Sequence, residues 1–253
     1  MAAAEAAAAA AVPAAVPAAA AVGEEEHFDV LDEHGARTGV TAPRSVVHRD
    51  GLLHRAVHVW LWYNGADAEE VLAGIGGSEA PAVAPAPAAA PGGGAVPGWL
   101  LLQQRAACKD SWAGRWDISS AGHVSAGQVP LDAAVRELEE ELGVRLPATR
   151  FEFLFEHLER LTSEQRGRVF INNEFNDVFL ITLTPAEFRA LQPGAPGVVL
   201  QESEVAAIRW VPAATVLHMY ETNDAAIVPA AGMESFRRLF TALSARGAAA
   251  PPT

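Results

Sequence analysis

Apolar and polar positions alternate with a period of two over residues 54–63. Val57, Val59, Leu61 and Tyr63 interleave with His58, Trp60 and Trp62, the spacing of a β-strand. Both sets are rich in apolar or aromatic groups, which predicts a central strand covered on both faces. Residues 27–39 read as strand, turn and strand around Asp32-Glu33-His34-Gly35. Short apolar runs at 99–102, 151–155, 175–183 and 208–211 predict further strands, and 105–121 reads as a loop. The period lengthens after Pro130, where Ala133, Ala134, Val135, Leu138 and Leu142 mark the buried stripe of a helix that Gly143 stops. Residues 185–191 and 233–243 read as helices too, the second amphipathic through Phe236, Leu239, Phe240 and Leu243. Strands and helices mixed in this order predict a layered α/β/α domain.

Three stretches lack any such pattern. Residues 1–26 begin with an alanine-rich run interrupted by Pro13 and Pro17 and read as a disordered tail; 247–253 read as another. Residues 65–98 turn to Ala, Pro and Gly and cannot build a core. The simplest account is a hairpin loop lengthened by a flexible insertion, at low cost in closure entropy. The segment before it is too short for a good independent core, which disfavours a linker between domains. One domain over 27–246 is expected. The alanine run lacks the basic start of a secretory signal and the Arg/Ser content of a transit peptide, so a cytoplasmic protein is expected, with a divergent transit peptide as the alternative.

The chain has 253 residues and a formal net charge of −13. That balance, with no Lys/Arg cluster, argues against nucleic-acid binding, and no membrane role is expected. It also does nothing to attract anions, so any phosphate chemistry needs a bound cation. The single cysteine, Cys108, excludes an intrachain disulfide, fits a reducing compartment and reads as a buried spectator.

The helix at 130–142 carries the chemistry. Glu137, Glu140 and Glu141 stand at i, i+3 and i+4, so three carboxylates share one face. Their repulsion is commonly offset by a divalent cation, and hard Mg²⁺ or Mn²⁺ prefers such oxygen ligands and is often shared with substrate phosphates. Arg136 is placed to pair with and orient them. A solvated acidic helix face is the plainer reading, but it leaves Gly122 and Gly143 unexplained.

The run Gly122–Val144 resembles the Nudix hydrolase signature: Gly, five residues, Glu, seven residues, then Arg-Glu-aliphatic-x-Glu-Glu-x-Gly-aliphatic. Gly122, Arg136, Glu137, Leu138, Glu140, Glu141, Gly143 and Val144 match, while Gln128 stands where the family has its first Glu. The resemblance implies a sandwich with a mixed sheet and a loop–helix–loop catalytic motif. It also implies Mg²⁺ or Mn²⁺ on Glu137, Glu140, Glu141 and the backbone carbonyl of Ala121, with Glu137 as a further ligand or as the base. Gln keeps hydrogen-bonding capacity but loses the charge, so weaker metal affinity is expected rather than lost activity.

Beyond the signature, 27–215 resembles the branch related to isopentenyl-diphosphate isomerase, through 54–64, 116–123 and 172–178. The catalytic Cys of that branch is replaced here by Ala121, and one of its two Glu by Asn172, while Glu174 matches the other. The pattern also resembles the Nudix half of plant proteins that carry a peptidase-like second half, which is not expected here. By resemblance His48, His54, His123 and Glu174 form a second metal site; read alone, such histidines are ordinary strand and loop residues. Trp116, His123 and Glu174 are candidates for substrate contact, and Trp112, Trp116 and Phe175 could stack on substrate or simply pack in the core. Glu202 and Glu204 could supply a late-loop acid. The expected function is metal-dependent hydrolysis of a diphosphate linkage, of nucleoside-diphosphate or prenyl-diphosphate type. An isomerase-like enzyme and a weakly active diphosphate-binding module are the alternatives.

Overall fold

The strand read as central, β3 (His54–Tyr63), lies in the middle of a seven-stranded mixed sheet in the computed structural model. The structure describes residues 25–74, 96–109, 111–165, 167–230 and 232–248. β3 runs parallel to β8 (Arg168–Thr182) and antiparallel to β4 (Trp99–Arg105) and β6 (Ser120–His123). β7 (Glu152–Gln165) pairs with β8 along its length, while β5 (Trp116–Asp117) and β9 (Val205–Pro212) pair with β4.

The parity of β3 divides the interior. Val57, Val59, Leu61 and Tyr63 enter one core with residues of α3 (Pro130–Leu142) and α4 (Pro185–Ala190). Trp60 and Trp62 enter the other with α5 (Ala213–Glu221) and α6 (Glu234–Ala248). Each large side chain so buried contributes about 1.5–3 kcal/mol, and neither face of the sheet is left uncovered. This is the expected α/β/α sandwich.

A split in the sheet positions the signature. β3 and β4 pair only at Trp62↔Leu100 and Tyr63↔Trp99, then diverge, and β6 takes over the β3 edge from Ala56 to Val59. The Ser119 hydroxyl closes the split, accepting from Leu61 N–H (2.9 Å) and donating to the Leu101 carbonyl (2.6 Å). β6 therefore leaves the fork carrying Ala121, Gly122 and His123 against α3. That helix starts with Pro130 and ends as read, with Gly143 left-handed at φ 72°, a conformation that glycine adopts without a Cβ clash.

A small layer precedes β3. β1 (His27–Leu31) and β2 (Arg37–Pro43) form a hairpin, and α1 (Arg44–Asp50) follows. Phe28, Ala42 and Val47 form its core.

Several elements differ from expectation. The segment 105–121 contains β5 and the start of β6. β7 and β8 extend well beyond 151–155 and 175–183, because pairing between the two strands stabilises polar stretches such as Glu156–Glu159 that carry little apolar pattern. α1 and α5 were unforeseen, and α6 runs to Ala248, past the start of the expected tail. The expected loop at 65–98 opens with a helix, α2 (Ala68–Gly74), whose Ala68, Val71 and Leu72 pack on the first core. The rest of that insertion at 75–95, the tail residues 1–24 and residues 249–253 lie outside the described residues.

Candidate metal and substrate site

The loop from β6 and the acidic face of α3 meet at Ala121–Gly122. Glu141 is buried; its Oε2 accepts the Ala121 N–H at 3.1 Å and the Gln103 side-chain amide at 3.3 Å. Glu137 lies directly over Gly122, where a Cβ would come within 2.0 Å of its carboxyl carbon, so a larger residue would push the Glu137 carboxylate aside. Arg136 binds its neighbours on both sides: Nη2 lies 2.9 Å from Glu137 Oε1, and Nη1 lies 2.9 Å from Glu140 Oε2. Nη2 also donates to the His123 carbonyl at 3.2 Å, which ties the helix to the loop. Glu140 is half exposed.

Burial dominates the electrostatics of the two inner carboxylates. Burial, then the charge of Glu141, pushes the Glu137 carboxyl up to about 8. Burial pushes Glu141 up to about 7, against its hydrogen bonds to Ala121 and Gln103. Desolvation and a neighbouring like charge here outweigh the Arg136 guanidinium beside Glu137. The donor set is all oxygen, which fits Mg²⁺ or Mn²⁺.

These groups line a cavity of about 620 Å³, large enough for a substrate of moderate size. Its rim includes Lys109, paired with Glu204, and Arg105, paired with Asp117 at 3.1 Å. The late loop is fixed to α3 by Gln201 N–H on the Glu141 carbonyl (3.0 Å) and Val199 N–H on the Leu142 carbonyl (3.1 Å). Glu204 thereby reaches the cavity, and Glu202 is not among the lining residues. The lining also includes His58, Glu159, Asn172, Tyr220 and Phe236.

A second constellation sits beside the first. The ligand atoms of His48, His54 and His123 lie within 4.8 Å of one another. Glu174 Oε1 is 3.3 Å from His54 Nε2 and 3.1 Å from His123 Nε2. All three Nε2 atoms are buried and make no well-aligned hydrogen bond among the described residues. His48 Nδ1 faces the Ile171 carbonyl (3.3 Å) and His54 Nδ1 the Leu52 carbonyl (2.9 Å), an outer-shell pattern that fixes a ligating imidazole. Burial, reinforced by the two other rings, drops His48 to about 3. Burial opposes ionisation of Glu174, but its contacts with His123 and His54 outweigh this and hold its carboxyl well below the usual range. The mixed imidazole and carboxylate set fits a cation such as Mn²⁺ or Zn²⁺.

Other candidates stand elsewhere. Trp116 is buried in the second core, with Arg209 over its ring at 4.3 Å, and does not line the cavity. Its sequence gave no sign of depth, since an aromatic beside a glycine-rich loop fits either place. Trp112 does line the cavity, whereas Phe175 is buried with Leu31 and Leu53. Cys108 is exposed on the cavity rim, contrary to its reading as buried, and its Sγ meets the Ser203 carbonyl at 3.2 Å. Gln128 is not among the lining residues either. Its Oε1 accepts Ser125 N–H (3.3 Å) and its carbonyl accepts Arg37 Nη2 (2.5 Å), closing the turn before α3. Gln103 and Arg44 were missed: a Gln ending an apolar strand is a weak signal, and Arg44 belongs to the unforeseen α1.

The NUDIX domain model matches residues 84–231. Nudix hydrolase 3 of Arabidopsis thaliana is 41% identical over 223 residues, covering 88% of this chain but only 24% of that protein, so the chain spans about a quarter of that relative's length. Isopentenyl-diphosphate Delta-isomerase of Escherichia coli is 26% identical over 215 residues, covering 85% of this chain and 92% of the enzyme. The structure of DR0079 from Deinococcus radiodurans superposes with a TM-score of 0.51 at 13% identity, over 85% of this chain and 98% of that one, a likeness of fold. No described helix is long and apolar enough to cross a membrane. With the signature at the fork of the sheet and the family model over most of the domain, the chain belongs to the Nudix hydrolase family.

Proposed function

We propose that the chain hydrolyses a diphosphate linkage in a small molecule, with Mg²⁺ or Mn²⁺ held by Glu137, Glu140, Glu141 and the Ala121 carbonyl. The observation that carries the reading is the placement of two largely desolvated carboxylates, Glu137 and Glu141, side by side over Ala121–Gly122 in an open cavity, with Arg136 paired to Glu137. When bound, the cation supplies neutralisation of phosphate charge and acidification of water. The protein does the rest. Arg136 orients Glu137 and Glu140, while Gln103 and the Ala121 N–H hold Glu141. Glu137 serves as a further ligand or receives the proton of the attacking water. Lys109 and Arg105 offer cationic donors to the phosphates. The substrate is of nucleoside-diphosphate or prenyl-diphosphate type.

His48, His54, His123 and Glu174 favour a second reading, an isomerase-like enzyme, since a second cation there would bring Glu174 next to bound substrate. Ala121 opposes it, because a methyl group has no proton to donate.

A metal-dependent product screen tests both. It would offer nucleoside diphosphate conjugates, nucleoside triphosphates, and isopentenyl and dimethylallyl diphosphates, read by phosphate release and mass spectrometry. Cleavage requiring Mg²⁺ or Mn²⁺ is expected. Interconversion of the two C5 diphosphates without phosphate release would overturn the hydrolase in favour of the isomerase. Binding without turnover would leave a diphosphate-binding module.

A further inference from the structure

Arg44 and His48 are four residues apart on α1 and leave the same face of it. His48 enters the histidine cluster, and Arg44 stops beside it. Arg44 Nη1 lies 3.2 Å from His123 Nδ1 and 3.6 Å from Glu26 Oε2. Its side chain is two-fifths exposed and lines the cavity that holds Glu137 and Glu141. Arg44 therefore stands between the two constellations.

The contact has a consequence for protons. A guanidinium has donors and no acceptor. His123 Nδ1 must accept from Arg44, so the proton of the neutral ring sits on Nε2, the atom 3.1 Å from Glu174. His48 and His54 are set the other way. Their Nδ1 atoms face carbonyl oxygens, which only accept; this leaves the His48 Nε2 lone pair free to ligate, while His54 Nε2 faces Glu174 Oε1 at 3.3 Å. His48 is thus prepared for a cation, and His123, held by Arg44, presents it a proton.

We propose that Arg44 gates the histidine site: capping His123, it excludes a divalent cation, and a cation enters when Arg44 turns into the cavity and is held there by an oxyanion. The inference rests on the reading of His48, His54, His123 and Glu174 as a metal site. It makes cation and oxyanion binding mutually favourable, by the reciprocity of linkage.

Cobalt(II) tests the gate in the full chain, because imidazole ligands in a low-coordinate site give visible absorption far stronger than an all-oxygen octahedral site. Sulfate, which binds free cobalt weakly, serves as the oxyanion. At the absorbing site Arg44→Met is expected to bind cobalt about tenfold tighter, within the usual range of such couplings. Sulfate is expected to tighten wild-type binding and leave the variant unchanged. Nitrogen-15 imidazole spectra of the metal-free protein separate the tautomer from simple charge removal. His123 is expected to carry its proton on Nε2 in wild type and in Arg44→Lys, and on Nδ1 in Arg44→Gln, whose amide oxygen can accept it. Strong absorption with unchanged affinity in Arg44→Met, or an Nδ1 proton on wild-type His123, would overturn the gate while leaving the metal site standing. No imidazole-type absorption in either protein would remove the metal site and the gate together.

Discussion

Gly122 leaves the space that the Glu137 carboxylate fills: a methyl group on Gly122 would come within 2.0 Å of the Glu137 carboxyl carbon. Gly122→Ala should therefore displace Glu137 while leaving the charge of the site untouched. The expected result is a loss of turnover of about 10²-fold or more, comparable to the loss of one well-placed catalytic group, with a small change in melting temperature. Steady-state kinetics with a thermal melt checks this. Unchanged turnover would mean that Glu137 needs no fixed position.

Glu140→Gln removes the half-exposed carboxylate and keeps its shape. Because the group is not in the core, the fold should persist, while kcat falls by orders of magnitude and the Mg²⁺ concentration for half-activity rises. Wild-type turnover in this variant would remove Glu140 from the site.

Stability without metal should fall as pH rises from about 6.5 to 8. Glu137 and Glu141 are pushed up to about 8 and about 7, so across this window the folded chain holds protons that the unfolded chain has released. The sign of linkage is then negative: stability is present below the unfolded value near 4.5 and lost as pH climbs through the folded values. His48, dropped to about 3, acts in the opposite sense, adding stability between about 3 and 6.5, and is spent above that. Melting temperature against pH, in chelator and in Mn²⁺, checks the claim. The decline should appear in chelator, shrink in Glu137→Gln and flatten with metal. A flat profile in chelator would contradict the raised values.

Gln128→Glu restores the charge whose loss the family pattern links to weaker metal affinity. Its place in the turn, accepting Ser125 N–H away from the cavity, changes the expected outcome to near-wild-type metal dependence, since either side chain supplies the acceptor. Gln128→Ala, which removes it, should cost about 1 kcal/mol by denaturant titration. A marked gain in Mg²⁺ affinity for Gln128→Glu would show that charge at this position reaches the metal.

The carboxylate face was legible because helix spacing alone brings i, i+3 and i+4 together. β3 was legible because both of its faces are apolar and its period is unbroken. The histidine cluster was visible only through a resemblance: His48, His54 and His123 lie on a helix and two strands, and no local pattern records that β3 pairs with β6 and β8 around them. Trp116 and Cys108 went astray for a related reason. Their depth is decided by Arg209, Ile227 and Ser203, all far along the chain. The outer reaches of β7 and β8 carry polar residues because long-range pairing, not burial, holds them.

The pairing of Tyr63 with Trp99 fastens both ends of the intervening segment to neighbouring strands of the sheet. To the sheet, the length of what lies between is immaterial: the register on either side is set by Trp62↔Leu100 and Tyr63↔Trp99. This makes the junction an engineering port. New termini from a circular permutation, or a reporter domain spliced in beyond α2, should leave the fork of the sheet, and the carboxylates it presents, where they are.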